Sequence, residues 1–219
     1  MLKVRAASAD MARDVRNVFV NVPFDDVYAP LFDALVFAIV ACGYRVRCAL
    51  EEDNSGNIRL DKLVALIQES PRSIHDLSRI DLGANDLPRF NMPIELGLAM
   101  GAKRFGGASQ RRDLIKIMVE VPYRLPAYLS DLGGNDPTAH RADPASVVRI
   151  VRNFLHRAPK GGILAGPAKL FRDFGRFKDE LTEIADRIDF EPDEIGSFKD
   201  YPTYIWCVAE FLRSSSADD

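Results

Sequence analysis

Cysteine is scarce in this chain of 219 residues, and the three present, Cys42, Cys48 and Cys207, lie scattered among apolar neighbours. They form no metal-ligand spacing, and an odd count without a pattern argues for reduced thiols and a cytoplasmic setting. Histidines also number only three, and no nucleophile-elbow sequence accompanies them, so no Ser-His-Asp arrangement is supported. Neither a GxGxxG nor a P-loop sequence is present, which removes those two phosphate cradles. The longest apolar run, Ala34 to Cys42, falls well short of the ~18 residues that cross a bilayer. The first fifteen residues carry Lys3, Arg5, Asp10, Arg13 and Asp14 and lack the apolar core of a signal peptide. Excess charge is missing too. A net charge of −3 gives no general grip on nucleic acid or on an anionic membrane. Arginines gather locally, at Arg104, Arg111 and Arg112 and at Arg141, Arg149 and Arg152, but Asp113 and Asp143 interrupt both groups, so each reads first as a solvated face.

What is present is enough apolar material, 47% of residues, to bury a full core. Val18 to Val22 reads as a first strand ending at Pro23. Helical spacing follows over residues 25–42 and stops at Gly43. Tyr44 to Leu50 reads as a second strand, Ile58 to Ile67 as a helix, and Ser73 to Leu77 as a short third strand. A helix over residues 92–102 and the strand-like run Leu114 to Val121 come next. Pro126 to Leu132 suggests a short helix, Pro137 to His140 a last strand, and Pro144 to His156 a helix. Two further helical patterns, Lys169 to Ile188 and Tyr201 to Leu212, have no strand between them.

This alternation predicts an α/β fold, a flavodoxin-like, doubly wound parallel sheet of about five strands with a C-terminal helical appendage. The expected organisation is a lead-in over 1–15, a nucleotide-binding α/β domain over 16–158, the appendage over 159–213 and a disordered tail over 214–219. Ligands of such sheets bind beyond the carboxyl ends of the strands. That rule selects Asn21, Pro23, Phe24 and Asp25 after strand one, and Asp76, Ser78 and Arg79 after strand three, followed by Phe90 and Asn91. Glu95 is the sharpest candidate, as the only charge between Met92 and Ala102 on a helix that is apolar nearly all round. Such a carboxylate must be paired, protonated or chemically engaged. The plainer alternative is a first-turn glutamate that complements the helix dipole behind an Asn91 cap. Asp76 has a plain alternative as well, a bond to the backbone of the following loop, and His75 that of a satisfied core histidine.

The stretches NVPFD, SIHDLSR and RFNMPIELGLAMG, in this order along the alternation, resemble the superfamily of nucleoside 2-deoxyribosyltransferases and Toll/interleukin-receptor-like domains. The resemblance covers residues 16–140 and leaves the C-terminal helices outside. In that superfamily a helix after the third strand carries a catalytic glutamate followed by glycine and alanine, which ELGLA at Glu95 to Ala99 resembles; ahead of the glutamate the transferases have an aspartate and small residues where this chain has Arg89, Phe90, Asn91 and Met92. It implies an N-glycosidase or ribosyl transferase, with Glu95 and Asp76 catalytic and with Asn21, Pro23, Phe24, Asp25, Ser78, Arg79, Phe90 and Asn91 around the substrate. NAD enters as a substrate rather than a cofactor, and no metal is expected. It further implies an anti-phage defence effector, while the C-terminal helices, outside the resemblance, leave open a homo-oligomer, a docked partner protein or a cover over the crevice. A non-catalytic nucleotide-binding module and a protein-interaction domain stand as alternatives.

Overall fold

The computed structural model describes residues 13–51, 54, 56–80, 89–122, 125, 127–157, 159, 161–191 and 193–215. Five strands, β1 (Asn17–Asn21), β2 (Arg45–Arg47), β3 (Arg72–Asp76), β4 (Leu114–Val119) and β5 (Thr138–Ala139), form one sheet in the order β2-β1-β3-β4-β5. Every neighbouring pair is parallel. The expected doubly wound sheet is therefore the fold. β1 crosses to β2 through α1 (Ala29–Ala41), β2 to β3 through α2 (Arg59–Glu69), and β3 to β4 through α3 (Asn91–Phe105). The last crossover differs: between β4 and β5 the described chain forms only a 3-10 segment, Ala127–Gly134.

Side chains alternate between the two sheet faces with the strand period of two. Val18 and Val20 of β1, Ile74 of β3 and Met118 of β4 face α1 and α4 (Pro144–Leu155). Phe19 joins α2 and α3 on the other face, and Ile117 and Val119 meet Met92 and Leu96 of α3 there. α4 starts firmly, because the Asp143 carboxylate accepts from the amides of Ala145 and Ser146 and Pro144 needs no donor.

The C-terminal helices α5 (Pro167–Asp186) and α6 (Tyr201–Ser215) belong to the main core. They cover the outer side of α1, which explains why every residue from Leu31 to Ile39 is buried. Phe37 packs on Phe174 and Phe177, and Phe32 stacks on Phe198 at 4.8 Å. The one charge in this stretch, Asp33, accepts from Lys178 Nζ at 2.9 Å and from Ser197 Oγ at 2.5 Å. A buried carboxylate is thereby satisfied by α5 and by the connection between α5 and α6. At the other end of the chain, Arg13 donates to both oxygens of Asp113 and to the Ser70 carbonyl, fixing the lead-in to the start of β4. The expected tail at 214–219 begins inside α6, which runs to Ser215; its remaining residues lie outside those described. Among the described residues no helix is long and apolar enough to cross a membrane.

Candidate active site

The carboxyl ends of β1 and β3 flank the point where strand order reverses, and the polar residues selected from the sequence collect there. Successive residues of β3 point to opposite faces, so His75 lies under α3 while Asp76 faces the start of α1. Two separate hydrogen-bond groups result.

On the α1 side Asp76 is fully buried and accepts four bonds. Its Oδ2 takes the Tyr28 hydroxyl at 2.6 Å and His140 Nε2 at 3.0 Å; its Oδ1 takes the Ser78 amide at 2.8 Å and the Ser78 hydroxyl. Burial pushes the Asp76 carboxyl up, but the bonds from His140, Ser78 and Tyr28 outweigh it and hold its pKa below the usual value. His140 Nδ1 accepts from the Ala142 amide at 3.0 Å, so in the neutral ring Nε2 carries the proton and donates it towards Asp76 and Ser78. Arg141 and Ala142 both hold positive φ, 57° and 54°, to make that turn. Left-handed backbone costs non-glycine residues roughly 1–2 kcal/mol each, and the His140 contact is what it supports. Ser78, half-buried, is the member of this group that keeps surface in solvent.

On the α3 side Asn21 Nδ2 donates to His75 Nδ1 at 3.0 Å and to the Met92 carbonyl at 2.9 Å, tying β1, β3 and α3 together. His75 is fully buried, its Nε2 has no partner among the described residues, and burial pulls its pKa down to about 3. It therefore stays neutral. One turn beyond Met92 stands Glu95, 6% exposed, with no hydrogen bond or ion pair among the described residues. Burial lifts its pKa from 4.5 to about 7, against the opposing charge of Arg59. The capping alternative does not hold. Phe90 is the cap residue of α3 and makes no side-chain cap bond, Asn91 is already helical, and Glu95 lies beyond the first turn.

At the mouth, Asp25 Oδ2 accepts from Arg79 Nε and Arg89 Nη1, each at 2.8 Å. Burial raises the Asp25 carboxyl, and the two guanidinium bonds with the Tyr28 amide bring it below its ordinary value. Both arginines keep part of their surface in solvent. Phe90 is half-exposed and meets Tyr128 edge-on at 5.6 Å, while the Tyr128 hydroxyl donates to the Ile80 carbonyl.

Of the residues read from the sequence, Asn21, Asp25, Ser78 and Arg79 end or follow β1 and β3, and Phe90, Asn91 and Glu95 lie at the start of α3. Pro23 is buried, and the Phe24 ring is engaged by Phe32 and Phe198 on the side of the C-terminal helices. Glu95 and Asp76 lie on opposite faces and share no hydrogen bond, which separates the two expected catalytic carboxylates. Tyr28 and His140 were not singled out; His140 directly follows β5, so the strand-end rule that selected Asp76 also reaches it. No group of three or more potential metal ligands occurs among the described residues.

No family model, curated protein or solved structure matches the chain.

Proposed function

We propose that this protein is a nucleotide N-glycosidase or ribosyl transferase, with NAD or another nucleotide as substrate and Glu95 as the group at the anomeric carbon. The observation that carries this reading is Glu95 itself. A buried carboxyl without a partner costs stability, and here it stands beside the crevice of a doubly wound sheet. Cleavage of an N-glycosidic bond sends the bonding electrons out with the base and leaves positive charge on the ribose. An ionised Glu95 stabilises that charge, or bonds to the anomeric carbon until water or another acceptor replaces it. The apolar surroundings on α3 strengthen the interaction. Asp76 serves as the buried anchor that orients Ser78, whose hydroxyl is the one within reach of a ribose.

The mouth favours a phosphorylated substrate over a bare nucleoside. Arg79 and Arg89 together carry one charge more than Asp25 neutralises, and both keep surface in solvent, where phosphate oxygens can take their remaining donors. The exposed Phe90 face, backed by Tyr128, offers a stacking surface for a base. The superfamily resemblance supports the same chemistry and carries with it the role of an anti-phage defence effector.

The test is incubation with NAD and a panel of nucleosides and nucleotides, followed by chromatography, with Glu95→Ala alongside. Release of nicotinamide or a free base by the wild type alone is expected. Equal release by the folded variant removes Glu95 from the anomeric carbon, and intact return of every compound moves the crevice to the binding-module reading.

A further inference from the structure

A second cavity, of about 920 Å³, opens on the far side of α3 from Glu95 and includes none of the crevice residues. It exists because the last crossover has no full helix. β4 pairs with β5 only at Met118 and Val119, so the outer edge of Leu114–Ile117 has no strand neighbour among the described residues. Ile115 and Ile117 line the cavity from the sheet, Met100 and Phe105 from α3, and Phe154 from α4. Phe105 is 85% exposed, a large apolar surface for the end of a helix.

Gly97 and Gly101 complete the α3 wall, and a Cβ built on either meets nothing within 4 Å. Neither adopts positive φ. Internal packing therefore does not require glycine at these positions, although each costs about 1 kcal/mol relative to alanine inside a helix. Two glycines one turn apart leave the helix backbone open to a flat apolar group lying against it. The charged lining is of one sign. Lys103 and Arg111 hold backbone carbonyls, of Asp113 and Gly106, while Arg104 has no partner among the described residues. Among the described residues no carboxylate lines the cavity. The volume falls within the range of small-molecule sites.

We propose that this cavity binds a small amphipathic anion, a carboxylate or sulfonate on an aliphatic or aromatic body, with the apolar part against Gly97 and Gly101 and the anionic head on Arg104 and Arg111. The site does not depend on the glycosidase reading. The test is titration of the full chain with 8-anilinonaphthalene-1-sulfonate, followed by displacement with dodecanoate and, separately, with dodecanol. Saturable one-site binding is expected, displaced by dodecanoate in preference to the alcohol. Gly101→Leu fills the space and abolishes binding, and R104E with R111E weakens it by about tenfold or more. Glu95→Gln binds the dye as the wild type does. The proposal is overturned by dye binding that does not saturate, by equal displacement with the alcohol, or by unchanged binding in both cavity variants. Loss of binding in Glu95→Gln overturns it too, because the dye then sits in the crevice. A wild-type dimer that Gly101→Leu converts to monomer also overturns it, since a second copy then covers the groove.

Discussion

Glu95 makes a quantitative prediction that is independent of any substrate. Its carboxyl titrates at about 7 in the folded protein and near 4.5 when free of the fold. Between these values the native state holds a proton that the unfolded state has released, so stability falls as pH rises from 4.5 through 7. Below 4.5 both states are protonated and the penalty vanishes; above 7 it is complete. A rise of this size corresponds to about 3 kcal/mol. Glu95→Gln removes the ionisation and keeps the shape. The new amide has its own cost of burial, about 1–3 kcal/mol when unpaired, but that cost does not change with pH. The quantity to measure is therefore the stability of Glu95→Gln minus that of the wild type, from urea denaturation at several pH values. The difference should grow by about 3 kcal/mol between pH 4.5 and pH 8, equivalent to about 6–12 °C in melting temperature for a chain of this size. All other titrating groups cancel in the subtraction. A difference that stays flat with pH would refute the claim that Glu95 is buried without a partner.

On the proposed role of Glu95, turnover requires its ionised form, so the rate should climb with pH through about 7, and a rate that falls over that interval contradicts the role. Tyr28→Phe deprives Asp76 of one of its four donors and should cost about 1–3 kcal/mol in urea denaturation. The Asp76 contribution, from a carboxyl held below its usual pKa, is present above the ordinary carboxylate range and should fade as pH falls through the lowered value. Phe177→Ala opens a cavity between α1, α5 and α6 and should cost about 3–5 kcal/mol, while truncation after Leu155 bares the outer side of α1 and should give aggregated protein on size exclusion.

The order of elements was legible because each depends on local patterning, whereas the site depends on contacts between distant segments. β1 and β4 differ from expectation by one or two residues, as hydrophobic runs closed by proline or polar loops should. β2 is shorter than the run Tyr44 to Leu50, because the Glu51 carboxylate accepts from the Cys48 amide and from Arg47 and turns the chain into a 3-10 segment. That turn is a side-chain effect which apolar alternation does not encode. Glu95 was legible because one charge breaks a local apolar pattern. Asp76 and Ser78 were legible from the strand-end rule, but their partners Tyr28 and His140 were not, because these lie 48 and 62 residues away and meet them only through the sheet order. The reading of the C-terminal helices as an appendage follows from the same limit. Their pattern is visible, but what they cover is stated by α1, whose burial on all sides requires a second layer beyond the sheet. A helix buried on all sides, where no described helix is long and apolar enough to cross a membrane, therefore points to further helices that complete its core. By the same logic, the missing crossover helix between β4 and β5 leaves the outer side of α3 open, and that opening is where a second ligand has room.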